Sequence, residues 1–340
     1  MTEGRTRVRD DGVIQLFDTA CHALREGAFS DAMDSLERLL ERDVDSTGVA
    51  SALKCAAFLK ERLDGERAAA DSFEQGAQLL SLWRIFRAFA ERLPDVPERV
   101  LFALKQYLFT SALACYLAAA PDVEREGGDP DVLLQVGRCC KGMGNYERAI
   151  ECLEEANRER RDDARILSEL ADCYSLVNES RAAKAFFREA FFIDPQAVDL
   201  DGLESPLIQR LSARVRARGK EGPDLNEWIP VFGTVWGVFN VKREMKPLEL
   251  GKLKQAIYQL EKDARRDAAT RAVPEGRAQA GSPPPANSTE YRGSVVPRLL
   301  TRYFWLIDHL LAGGESRERI DEMLARIRDT DPGVHAEYTT

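Results

Sequence analysis

The side chains best equipped for chemistry are seven cysteines, three histidines and a large set of carboxylates. Cys139 and Cys140 are adjacent, which on a helix turns their side chains about 100° apart, and no C-x-x-C occurs. His22, His309 and His335 are isolated, so no metal-ligand spacing is present. An odd number of cysteines scattered along helical segments suits a reducing compartment better than a disulfide framework. Glu151, Glu154 and Glu155 sit at spacings that place them on an exposed helix face with i,i+3 and i,i+4 partners. The chain has no G-x-x-x-x-G-K-[ST], no G-x-G-x-x-G after a strand, no G-x-S-x-G and no H-E-x-x-H. The sequence therefore assigns no catalytic residue, no metal site and no cofactor. The one basic run, Arg210, Arg214, Arg216, Arg218 and Lys220, reads as a solvated helix end that complements the helix dipole.

The informative spacing is that of packing residues. From Pro130 to Pro195 one pattern occurs twice at a 34-residue period. Leu133, Val136, Gly137, Cys140, Tyr146, Ala149, Leu153 and Ala156 fill the first copy. Leu167, Leu170, Ala171, Tyr174, Ser180, Ala183, Phe187 and Ala190 fill the second, which closes on Asp194-Pro195. Small residues at Gly137, Ala149, Ala171 and Ala183 let two helix backbones approach, and the large residues fill the space between them. A helix pair of this size cannot bury its apolar face alone, so neighbouring pairs must stack. Degenerate pairs are thus expected elsewhere. Leu16, Ala20, Ala23, Gly27, Phe29, Ala32, Leu36 and Leu39 form one, with its turn at Gly27-Ala28-Phe29. Residues 48–80 read as another, with Ala50, Leu53, Ala57, Ala69 and Phe73 and a slip near Asp64-Gly65. Residues 81–93 and 97–120 read as a third, punctuated by Pro94 and Pro97.

This arrangement resembles the tetratricopeptide repeat (TPR), a helix–turn–helix unit with aliphatic, small and aromatic residues at fixed places and a closing proline. The resemblance implies an all-α, TPR-like superhelix (α-solenoid) of antiparallel helix pairs. It also implies a non-enzymatic scaffold or adaptor that holds a protein or peptide partner in the concave groove. In the family that groove is lined by the second, fifth, ninth and twelfth places of each first helix. Here those places hold Asp131, Leu134, Arg138 and Lys141, then Arg165, Ser168, Asp172 and Ser175. Arg138, Lys141 and Arg165 would make a positive strip beside Leu134, with Arg138 and Lys141 facing solvent. Clamping a chaperone's terminal carboxylate is disfavoured, because Asp172 would repel it.

The organisation read from the sequence is five segments: degenerate helix pairs over 1–120, two clear repeats over 130–198, a helical region with an aromatic segment over 199–271, a linker over 272–294 and a TPR-like pair over 295–332. The aromatic segment runs from Trp228 to Asn240 and holds two Trp, two Phe, two Gly and a Pro. Two readings stand. It is a buried cover for the end of the repeat stack, or it is an exposed docking surface for a self-associating assembly or structural subunit. Leu250, Leu253, Ile257 and Leu260 mark one face of a helix over 248–271. Gly276, Gly281, Pro283, Pro284 and Pro285 mark the linker as flexible, and its Asn287-Ser288-Thr289 sequon matters only in a secreted chain. Phe304, Ile307, Leu311, Ile320, Leu324 and Ile327 around Gly313-Gly314 form the last pair, and Tyr303, Phe304 and Trp305 favour its docking on the rest.

Charge and hydropathy narrow the partners. The chain carries 340 residues with a net charge of -9, which disfavours nucleic acid as the main partner. The best membrane candidate, Glu98–Pro121, is interrupted by Lys105, and its uncharged stretch from Gln106 is shorter than the roughly 20 residues a spanning helix needs. Membrane insertion is not expected. The charged start, Met1 to Arg9, shows no secretory signal, and a cytoplasmic location is expected. The oligomeric state is not readable.

Overall fold

A computed structural model gives the protein's structure over residues 3–42, 46–65, 71–121, 128–241, 245–271 and 295–340, with side chains described from residue 12 and, in the helix ending at Arg271, as far as residue 266. The described residues form α-helices, two short 3-10 turns and no strand, so the fold is all-α and built of antiparallel helix pairs. The expected linker over 272–294, like Ala69, lies outside the described residues. The chain divides into two compact units, Met1–Glu159 and Arg160–Thr340. That division falls between the two repeats, inside the segment 130–198.

The first unit contains α1 (Glu3–Arg25), α2 (Phe29–Leu40), α3 (Thr47–Gly65), α4 (Ser72–Ala90), α5 (Glu98–Ala119), α6 (Pro130–Gly142) and α7 (Tyr146–Glu159). Helices α1 and α2 form the expected first pair. Their turn needs Gly27 twice over: its φ is +76°, and an added Cβ would lie 2.3 Å from the Tyr107 ring. Between α2 and α5 the expected boundaries are corrected. Residues 81–93 do not start a new helix. As far as Ala90 they continue α4, which Asp71 caps by accepting the Phe73 and Glu74 amides at 2.6 and 3.2 Å. No glycine or proline stands between Gly76 and Pro94 to stop it, so three helices replace the four expected. Helix α4 pairs with α5, and α1 and α6 also pack on α5. By length and composition α5 could cross a bilayer, but in this fold Val100, Ala103, Leu104, Leu108, Ala112 and Tyr116 are buried.

The second unit contains α8 (Ala164–Leu176), α9 (Ser180–Ile193), α10 (Pro206–Arg216), α11 (Pro223–Val235), α12 (Pro247–Arg271), α13 (Val295–Ala312), α14 (Arg317–Thr330) and α15 (Pro332–Tyr338), with 3-10 turns at Pro195–Ala197 and Leu200–Gly202. The aromatic segment is α11 and the turn that ends it. Trp228, Ile229, Val231, Phe232 and Phe239 are buried in one apolar core with Phe187 and Phe191 of α9 and Leu300, Tyr303 and Phe304 of α13. The chain folds back beyond Gly237, where the Phe239 amide donates to the Gly233 carbonyl at 2.9 Å. These large apolar side chains are core, which corrects the exposed docking reading and agrees with a covering role over α9.

The basic run is also corrected. Three of its members are not simply solvated. The Arg214 guanidinium lies 4.0 Å from the Trp236 ring centre, Lys220 lies 4.1 Å from that of Trp228, and Arg218 stands beside both Phe232 and Trp236. Arg218 and the Trp236 indole N–H both donate to Glu337 of α15, at 2.6 and 3.2 Å. The terminal pair α13 and α14 turns at Gly313-Gly314 as expected, and Tyr303, Phe304 and Trp305 dock it by being buried.

Candidate functional site

Helix α6 starts where Asp129 accepts the Asp131 amide at 2.9 Å, with Pro130 at its first position. It meets α7 at Gly137, where an added Cβ would lie 2.7 Å from Leu153 Cγ, while Ala149 and Ala156 are buried on the facing helix. The small places of the repeat therefore do what their spacing suggested: they let the helix pair close. On the outer places the outcome is mixed. Asp131 and Arg138 are half-buried. Leu134 is 0% exposed, and Lys141, expected to face solvent, is 3% exposed. A lysine buried to this extent is unusual and spends its methylene stem on packing.

Helix α8 is capped by Asp163, which accepts the Arg165 amide at 2.9 Å. Arg165 also donates Nε and Nη2 to the same carboxylate at 3.0 and 2.6 Å, and Arg160 adds Nη1 at 3.4 Å. Burial pushes the Asp163 carboxyl up, yet the bonds from Arg165 outweigh it and hold the group below the usual aspartate value. Arg165 thus holds the helix cap. Ser168 is 1% exposed and returns its hydroxyl to the Arg165 carbonyl at 3.0 Å. Asp172 is 0% exposed and accepts the Glu204 and Ser205 amides, each at 2.8 Å. It thereby fixes the entry to α10, which packs on α8. Ser175 is half-buried.

The expected positive strip is therefore not an open one: Lys141 is inside, and Arg165 is engaged with Asp163. What the outer places leave accessible is Asp131 and Arg138 on α6, and Arg165 and Ser175 on α8. Sequence reasoning missed the second role of Asp172, because its partners lie more than thirty positions further along the chain. Neither Cys55 nor Cys139 has a reactive setting. Burial pushes Cys55 up to about 11 and raises Cys139 further, a shift that neighbouring Arg138 only partly offsets, so both stay neutral. Among the described residues no group of three His, Cys, Asp or Glu side chains is placed to hold a metal ion.

Paired helices that close on small residues, with the aliphatic and aromatic places filling the gaps, define an α-helical repeat protein. Residues 130–163 match the family model of the tetratricopeptide repeat, so the chain contains a repeat of this type. The match covers the first of the two repeats. No curated protein matches the chain.

Proposed function

We propose that this chain is a non-enzymatic protein-interaction scaffold, and that the first helix of each repeat offers its own accessible outer places to a partner: Asp131 and Arg138 on α6 and, separately, Arg165 and Ser175 on α8. The observation that carries this reading is the tetratricopeptide repeat at 130–163, a unit whose general use is binding protein segments. Buried Leu134, Lys141, Ser168 and Asp172 then serve as the support beneath the accessible residues. A cytoplasmic setting belongs to the same reading, since the seven cysteines form no disulfide and suit a reducing compartment.

The test is affinity capture from the native cell, read by mass spectrometry, with the intact chain and with Arg138→Glu combined with Ser175→Glu. Neither residue is fully buried, so thermal melts should show both chains folded. Loss of a defined set of captured proteins by the double variant is the expected result. Capture of the same proteins in the same amounts would remove these helices from consideration.

A further inference from the structure

A second surface lies in the first unit, between α4 and α5. An open cavity of about 290 Å³ is walled by Trp83 and Ala90 of α4 and by Leu101 and Phe102 of α5. For scale, an apolar cavity of about 150 Å³ takes up a benzene, so this one has room for a single large side chain. Trp83 forms the floor, held by ring contacts to Phe86 and Phe109 at 5.6 and 5.8 Å. Phe102 stands at the mouth and is 52% exposed. A phenyl ring left in water on a helix whose other large apolar residues are buried or half-buried is the kind of group an interface covers.

The mouth is cationic in an acidic protein. Arg87 and Lys105 line it, and the Arg25 guanidinium lies 6.0 Å from the centre of the Phe102 ring. The one carboxylate on the wall, Glu91, pairs with Arg87 at 3.6 Å. The net charge of the chain is -9, so this grouping runs against the average field and selects for anionic flanks. From the apolar pocket, the exposed ring and the basic rim together, we infer that this face docks a partner-protein segment with one aromatic or leucine anchor between carboxylates. The anchor enters between Trp83 and Leu101, and the flanking carboxylates meet Arg25, Arg87 and Lys105. None of these residues belongs to the repeat helices of the proposed function, so either reading can fail while the other stands.

The experiment uses the full chain and a fluorescein-labelled synthetic peptide with one central Trp among Glu and Asp residues. Two control peptides replace the Trp with Ala, or the acidic residues with Lys. Anisotropy titrations should show saturable binding of the acidic Trp peptide alone, weakening as salt is added. Phe102→Ala should weaken it by about tenfold or more, a change readable directly in Kd. Lys105→Glu should weaken it and flatten its salt dependence. Circular dichroism melts confirm that each variant is folded, and Arg25→Glu provides a further variant remote from the pocket floor. The inference is overturned by absent saturable binding, by equal binding of the Ala-substituted peptide or by undiminished binding to Phe102→Ala. It is also overturned if light scattering shows wild-type dimers that Phe102→Ala dissociates, because the face would then join two copies of the chain.

Discussion

Helices α6 and α8 hold the same position in consecutive repeats, and their ninth place is Arg138 in one and Asp172 in the other. Arg138 is half-buried at the side of α6. Asp172 is inside, bonded to the two backbone amides that lead into α10. The places that pack behave alike in both repeats: Gly137 and Ala171 are buried on the first helices, Ala149 and Ala183 on the second. The comparison separates two layers of information. Small and large residues at fixed spacing determine how the helices of a pair meet, whereas the other first-helix places take their role from the segment that comes next. In the second repeat that segment is α10, and Asp172 serves folding.

The largest effect is expected where the second repeat ends. Beyond Pro195, Gln196 donates to Glu227 at 2.9 Å, and Arg298 donates to the same carboxylate through Nε and Nη2, the closest contact being 2.8 Å. Glu227 is fully buried and Arg298 largely so. Glu227→Ala would strip a largely buried guanidinium of its nearest counter-charge and leave it Asp194 at 3.9 Å, a loss of about 3–5 kcal/mol. Urea denaturation measures it. A loss below that of the packing substitutions would show that the exit of the second repeat is not held by charge. Those packing substitutions come next. Ala149→Phe and Ala183→Phe should each cost about 1–3 kcal/mol by overpacking the closed pair. Similar losses in both would support a shared register, and an unchanged melt in either would break the equivalence of the repeats.

A smaller and pH-dependent effect belongs to the α8 cap. Asp163→Ala removes the cap and should cost about 1 kcal/mol at neutral pH. The folded carboxyl lies below its unfolded value, so its stabilisation is present above the unfolded value, near pH 4, and is lost as pH falls through the folded one. Melts taken between neutrality and acid should therefore show wild type and Asp163→Ala converging in stability on acidification. Curves that stay parallel would show that the Arg165–Asp163 bonds contribute nothing net.

Much of this architecture was legible in the sequence, for a physical reason. Gly137 against Leu153, and buried Ala149 and Ala183, are local consequences of two helices closing, and they recur because the closure recurs. Gly27 announced its turn because few other residues adopt its φ. Residues 80 and 81 share one helix, against the expected boundary, because no glycine or proline between Gly76 and Pro94 stops α4 at the length of a short repeat helix. The site was less legible. Lys141 looked like a surface charge but is buried. The Asp172 cap, the Glu227–Arg298 pair and the cations over Trp228 and Trp236 join residues distant in sequence, and no local spacing encodes them. The pocket beside Phe102 was hidden for the same reason, since α5 read by itself only as a core helix or a poor membrane segment.

Equivalent places in the two repeats carry different duties, and buried Asp172 serves the fold of the segment that follows it. Backbone hydrogen exchange over Leu203–Ser205 tests it most directly, compared among wild type, Asp172→Asn and Arg138→Gln. The Glu204 and Ser205 amides should be protected in wild type and in Arg138→Gln, and should exchange markedly faster in Asp172→Asn, whose side chain can no longer offer two charged acceptors. Equal exchange in all three chains, or fast exchange already in wild type, would contradict it.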